Sequence, residues 1–350
     1  MRTALRLAIL GLLAACVPDD HPTWLIDHPM PWGIIATVIE PGGYSSELIV
    51  PEGHLRAAAL PLDTLELQWL AVAPPGTELP PPIWLVCTGS CSNDLSSFSG
   101  HVLEPTCPYP LPLSRAQPCR LGEGERIRLA LGGAFTADER FSGTIAIMGI
   151  SSGDPDLDPE TCLQRLSTRP LKGLESCLIQ HRHLRLGPPW MLYTAVPQLA
   201  GRYTLEGDGL PDDAADEPAD THPNLIGIDV FRVTDRGHIV TFAAKGDTIR
   251  VRAGERLTFN PICSDSCTQE YYRFGLPFGG EIEFSLESEN FRYRAALSAL
   301  VEGDGPILNG VWVAPDDPEP ITLYLYIADS REGRAHATFT FITDNSIDAP

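Results

Sequence analysis

The sequence predicts a mainly β protein built as two β-sandwich domains, and three observations carry that prediction. Short apolar or alternating runs recur along most of the 350 residues, with turn residues between them, which is the spacing of sandwiches. Glycine and proline, at 31 and 33 residues, exceed average usage and fall short of the disorder range. Hydrophobic residues make up 43% of the chain, enough for a packed interior, and at about 100–200 residues per domain the length predicts two domains.

The first sixteen residues set the compartment. Arg2 and Arg6 precede an apolar run from Leu7 to Ala15 that meets Cys16 directly; a charged start, a short apolar stretch and small residues before a cut make a secretory signal peptide. At nine residues the run is too short to span a bilayer. The junction Leu13-Ala14-Ala15-Cys16 resembles the bacterial lipobox. The resemblance implies that residues 1–15 are removed and that Cys16 becomes a lipidated N-terminus, an anchor of more than the two signals stable attachment needs. Residue 17 is Val, where Asp marks retention at the inner membrane, so the resemblance implies the outer membrane. Residues 16–29, polar and proline-bearing, read as a tether.

The first domain is expected over 30–153, with strands at 34–39, 47–50, 65–72, 83–87, 126–131 and 144–150. Residues 154–205 break the pattern and read as a helical, cysteine-containing connector. Asp158-Pro159-Glu160 supplies an N-cap with Pro at the first helical position, and helices are expected over 160–167 and 171–183. A disulfide between Cys162 and Cys177 would staple that helical hairpin. Residues 206–221 form an acidic linker: between Gly207 and Asp220 lie six acids and no base, so the segment reads as solvated. The second domain is expected over 222–345, with strands at 225–234, 238–243, 248–251, 256–260, 281–286, 291–297, 310–313, 321–328 and 335–342.

Eight cysteines remain once Cys16 is set aside: Cys87, Cys91, Cys107, Cys119, Cys162, Cys177, Cys263 and Cys267. An even number in an exported chain reads as a disulfide set. The two halves echo one another, Pro31 to Val38 paralleling Pro223 to Val230, and Cys87-Thr-Gly-Ser-Cys91 paralleling Cys263-Ser-Asp-Ser-Cys267, which suggests a duplicated domain. If bridges stay within domains, Cys263 pairs with Cys267. Residues four apart on a straight strand are about 13 Å apart, so that pair must sit on a turn. By analogy Cys87 would pair with Cys91, leaving Cys107 with Cys119 and Cys162 with Cys177. The rival is a bridge from Cys263 or Cys267 back to the helical segment.

Taken together, the lipobox, Trp84-Leu-Val-Cys87, the short cysteine-bearing segment, His222-Pro223-Asn224, Glu270-Tyr-Tyr-Arg273, Trp312-Val-Ala-Pro315 and Ile327-Ala-Asp-Ser-Arg-Glu-Gly333 resemble bacterial cell-surface lipoproteins with tandem immunoglobulin-like domains. The C-terminal motifs are similar to the last strands of PKD-like and cadherin-like modules. The resemblance implies an immunoglobulin-like architecture and an envelope location, and it transfers no catalytic residue.

Acids outnumber bases 46 to 25, the formal charge is −21, and Lys172 and Lys245 are the only lysines. No basic surface can be assembled, which excludes nucleic acid as a partner and excludes polybasic docking on lipid headgroups. Four groups could carry chemistry. Gly149-Ile-Ser-Ser-Gly153 matches a nucleophile elbow, the basis of an alternative hydrolase reading through Ser151, but the elbow belongs to an alternating α/β chain and this chain has no such rhythm. His181 and His183 could share a metal on a strand; on the expected helix they point apart. The acids Asp154, Asp156 and Asp158, and Asp208, Asp212 and Asp213 in the linker, have two readings, calcium ligands or a solvated acidic run. The second is the default because neither run has EF-hand spacing. Tyr271, Tyr272, Phe274 and Phe278 surround a Gly/Pro-rich loop and are the candidate ligand-binding aromatics. The resulting expectation is a non-enzymatic outer-membrane lipoprotein that presents a surface for an envelope protein or glycan through loops of its distal second domain. A structural spacer is the other non-catalytic alternative, and no cofactor beyond calcium is indicated.

Overall fold

The structure is a computed structural model describing residues 22–46, 48–88, 103–113, 117–133, 144–168, 172–188, 218–235, 237–264, 267–275, 283–288, 290–307 and 309–344, with the backbone alone at 272–275 and 283–288. It is mainly β, with several antiparallel sheets. In the first half, β1 (Met30–Glu40), β2 (Thr64–Val72) and β5 (Arg126–Ala130) form one sheet in the order β1-β2-β5. A second sheet holds β3 (Ile83–Thr88), β4 (Cys119–Glu123), β6 (Thr144–Ser152) and β7 (Cys177–Arg185) in the order β4-β3-β6-β7.

Period-two alternation decides which face each strand buries. Ile34, Ala36 and Val38 of β1 and Leu65, Leu67 and Trp69 of β2 join Trp84 and Val86 of β3 and Ile145 and Ile147 of β6 in one core. Trp69 and Trp84 meet edge to face with centroids 6.2 Å apart, a favoured aromatic geometry. On the opposite face of the β3–β6 sheet, Ile83, Leu85, Met148 and Ile150 pack under Cys162, Leu163 and Leu166 of α1 (Pro159–Ser167). The helix begins as its sequence predicts: the Asp158 carboxylate accepts the Glu160 N–H at 2.9 Å, with Pro159 in the first turn.

The second half repeats the theme with different connections. One sheet contains β8 (Leu225–Thr234), β9 (Gly237–Ala244), β11 (Arg256–Cys263), β15 (Glu302–Gly303) and β16 (Trp312–Val313), in the order β15-β16-β11-β8-β9. The other contains β10 (Thr248–Val251), β14 (Phe291–Leu297), β17 (Ile321–Asp329) and β18 (Arg334–Thr343), in the order β10-β18-β17-β14, with β10 and β18 parallel. Between them lies a core that includes Val230, Phe259 and Trp312 on one side and Leu325, Phe339 and Phe341 on the other. β12 (Glu270–Gly275) and β13 (Glu283–Ser288) form a separate two-stranded hairpin.

A further apolar cluster joins the halves. Trp32 and Ile35 of β1 and Val72 of β2, on the outward side of their sheet, pack with Ile26, Ala296 and Tyr326. The Tyr326 ring lies so close to Gly33 that a Cβ there would sit 2.7 Å from it, so glycine is what lets β1 and β17 approach. The Arg294 guanidinium stacks over the Trp32 ring at 4.6 Å, a cation–π contact across the same seam.

Several expectations are corrected. The helix expected over 171–183 is instead strand β7, paired along its length with β6. Both of its faces are used, Leu178 and Leu184 in the first core and Cys177 and Ile179 under the helix, so no one-sided alternation marks it as a strand. The Cys162–Cys177 disulfide therefore joins α1 to the start of β7 and not to a second helix. The tether is packed at its C-terminal end: Trp24 lies in the core of the second half, and Ile26 N–H bonds the Leu297 carbonyl at 2.9 Å. The linker is likewise buried where it ends, at Ala219, Asp220 and Thr221. The halves are not topological repeats. The strand bearing Cys87 lies in the sheet opposite β1, whereas the strand bearing Cys263 pairs directly with β8.

Cys107–Cys119 and Cys263–Cys267 also form. The Cys263 and Cys267 Cα atoms are 5.4 Å apart, so the chain turns there and the rival bridge to the helical segment is absent. Cys87 is disulfide-bonded; Cys91 lies outside the described residues.

Cys162 and Cys177 close a 15-residue separation, which contributes about 3 kcal/mol by restricting the unfolded chain. Urea unfolding of the Cys162→Ala, Cys177→Ala double variant, compared with the parent, is expected to lose stability of that order with an increased m-value as the unfolded chain expands.

Candidate functional site

The strongest concentration of polar chemistry lies at the junction of the halves, built on β7, the end of the acidic segment and the turn between β17 and β18. Arg182 occupies a core-facing position on β7, and its side chain is 6% exposed, as is that of Glu332. Its Nη1 donates to the Ile34 carbonyl at 2.9 Å, and its Nη2 donates to the Glu332 carbonyl at 2.6 Å and to Glu332 Oε2 at 3.0 Å. Glu332 Oε1 accepts the Arg185 N–H at 3.1 Å. Two charges withdrawn from water are tolerable only when paired and hydrogen-bonded in this way.

The turn that presents Glu332 is held by Asp329, whose Oδ1 accepts the N–H groups of Arg331 and Gly333 at 2.9 and 3.0 Å. A Cβ at Gly333 would fall 1.8 Å from Asp329 Oδ2 and 2.6 Å from the Thr221 carbonyl, so no other residue fits. Asp220 closes the set: Oδ2 accepts the Glu332 N–H, and its backbone carbonyl accepts the Ala57 N–H at 2.8 Å. His222 spans the same seam. The Arg334 N–H donates to Nδ1 at 2.9 Å, which leaves the ring proton on Nε2 to be donated to Thr37 Oγ1 at 2.9 Å. Burial, with the Arg182 and Arg334 charges nearby, pushes the His222 pKa down to about 3, so the ring is neutral.

Beside this junction stands the hairpin. Gln269, just ahead of β12, takes the Thr221 N–H and the Arg331 guanidinium on Oε1 at 3.1 and 3.2 Å, and the Arg331 guanidinium lies 4.6 Å over the Tyr271 ring. Tyr271 is thus packed on the junction. Tyr272 and Phe274 fall on β12, where only the backbone is described, and Phe278 lies outside the described residues.

The other candidates separate. Ser151 is buried within β6, and its hydroxyl donates to the Pro80 carbonyl at 2.5 Å; no histidine bonds it among the described residues. His181 and His183 lie on a strand, which corrects the expectation that they point apart, and their rings meet edge to face at 4.3 Å. No third metal-ligating side chain joins them among the described residues. Asp154 accepts the Asp156 N–H at 3.0 Å in a turn, Asp158 caps the helix, and Asp156 stands exposed between them. Asp208, Asp212, Asp213 and the anchor candidate Cys16 lie outside the described residues. No helix among the described residues is long and apolar enough to cross a membrane.

Sequence reasoning singled out His222-Pro223-Asn224 and Asp329-Ser-Arg-Glu-Gly333 as motifs without seeing that they meet. Arg182 carried no signal, because an arginine between two histidines reads as surface. No protein family, curated protein or solved structure matches this chain.

A histidine held below its ordinary value binds its proton mainly in the unfolded state, so its contribution is complete above about pH 6.5 and is lost as pH falls toward the folded value. His336 is shifted in the same direction by burial, then Lys245 and Arg126, so the measurement is a difference. Between about pH 6.5 and pH 5, the parent is expected to lose stability more steeply than His222→Asn, by up to about 1.4 kcal/mol per pH unit. Denaturant titrations across that window check it; parallel slopes would contradict the buried neutral ring.

Proposed function

We propose that this chain is a non-enzymatic outer-membrane lipoprotein whose two immunoglobulin-like β-sandwiches present an interaction surface, for an envelope protein or a glycan, through the β12–β13 hairpin. The observation that carries this reading is that, among the described residues, the hairpin pairs with neither large sheet of the second half and is rooted, through Gln269 and the Arg331–Tyr271 stack, on the buried junction. An element with a fixed base has less freedom to lose on binding, which lowers the ordering cost. The lipidated location is supported by the residue pattern ending at Cys16 and by a set of formed disulfides, as in exported chains. The non-enzymatic reading is supported by Ser151, whose hydroxyl is spent on a backbone carbonyl inside a core.

The packing of the N-terminal segment bears on where the surface would lie in this reading. Trp24 sits in the core of the second half, and the eight residues back to Cys16 reach at most about 28 Å when fully extended. That short reach supports a second half held close to the membrane.

Two measurements test the reading. Metabolic labelling with palmitate is expected to mark the parent and not Cys16→Ser; labelling of both would remove the anchor. The Cys16→Ser chain, immobilised and exposed to detergent-solubilised native envelopes, is expected to retain a protein or glycan that the Tyr271→Ala, Tyr272→Ala variant binds roughly 30-fold more weakly, the loss typical of hot-spot aromatics. Equal retention by both chains would place the contact elsewhere.

A further inference from the structure

The free edge of β9 points to a second copy of this chain. Among the described residues β9 is the terminal strand of its sheet, and six consecutive residues, Gly237 to Phe242, are exposed. Lys245 N–H bonds the Ile226 carbonyl at 3.1 Å, which fixes the alternation of the antiparallel ladder with β8. Residues 239, 241 and 243 therefore bond to β8, and His238, Val240 and Phe242 turn their N–H and C=O groups outward. No backbone bond among the described residues takes up those groups. On the same side chains the strand shows apolar surface: Val240 is 49% and Phe242 54% exposed.

Protein edges are ordinarily guarded by charge, proline, a bulge or a covering element. The segment Gly237–Ala244 has no charged residue and no proline, and its register with β8 runs without a bulge. In a chain of net charge −21, an uncharged patch is where two copies can approach without repulsion. The edge offers no charge for an acidic or a basic strand to pair with, so the occupant it suits is another neutral strand, and its own sequence is one.

We propose that two copies pair antiparallel through β9 about a two-fold axis at Val240. Val240 then faces Val240 of the second copy, and His238 faces Phe242. The outward-turned groups exchange about six backbone hydrogen bonds, and the five-stranded sheet continues across the pair.

The test uses the full-length Cys16→Ser chain purified without reductant, which also removes the thiol that would complicate crosslinking. Sedimentation equilibrium is expected to show a dimer that dissociates on dilution. Facing residues of a hydrogen-bonded antiparallel pair have Cα atoms about 5.5 Å apart, within disulfide reach. Val240→Cys is therefore expected to crosslink to itself roughly tenfold faster than Thr241→Cys, which does not face its own copy. Val240→Pro removes an outward N–H and no internal ladder bond, so it is expected to be monomeric with an unchanged circular-dichroism spectrum. Should that variant misfold, Val240→Lys, which sets two like charges on the axis, is expected to give the same monomer. A parent that is monomeric at all concentrations, a Thr241→Cys chain that crosslinks as fast as Val240→Cys, or a dimer that survives a folded Val240→Lys would each overturn the proposal.

Discussion

The Arg182 guanidinium and the Glu332 carboxylate, both withdrawn from water, are the constraint on which the arrangement of the rest depends. A buried pair adds little stability compared with well-packed apolar side chains, but a single member left alone costs about 3–5 kcal/mol. Each half carries one member of the pair: Arg182, which also donates to the Ile34 carbonyl, on the first, and Glu332, on the turn between β17 and β18, on the second. The network spreads from there. Asp329 shapes the turn that presents Glu332, Asp220 takes its N–H, and His222 bonds Thr37 on one half and Arg334 on the other. With the apolar seam of Trp32, Ile35 and Tyr326, these contacts make the junction an interior in its own right.

That junction organises what stands on the surface. The Asp329–Gly333 turn positions Arg331, Arg331 lies over Tyr271, and Gln269 ties the foot of the hairpin to Thr221. The N-terminal segment enters the same body through Trp24 and Ile26, so an anchor at Cys16 would pull on the second half and, through the junction, on both. β9 lies outside this apparatus, at the end of the strand order of its sheet among the described residues.

Much of the fold was legible because alternation reports half-buried strands. β2, β6, β14, β17 and β18 fall close to where their apolar patterns predict, as does the Asp158-capped helix. β7 was misread because helix and core cover its two faces and Arg182 occupies a core position, so the period-two signal is absent. β4, β12 and β15 were missed: β15 has two residues, and β4 is five residues long with Leu121 and Gly122 between Arg120 and Glu123. The Cys263–Cys267 turn followed from strand geometry once the bridge was taken to stay within its domain. The junction was not legible because burial of Asp220, at the end of an acidic run, and of Arg182, between two histidines, depends on partners more than a hundred residues away. The motifs around His222 and Asp329 were visible as patterns, but nothing in spacing says that the two meet.

Differential scanning calorimetry of the parent chain and of Glu332→Gln tests the central claim, that the buried junction makes the two halves one cooperative body. The account predicts a single transition for the parent, with calorimetric and van't Hoff enthalpies in agreement, and two resolved transitions once Arg182 has lost its charged partner. Two independent transitions in the parent would contradict it.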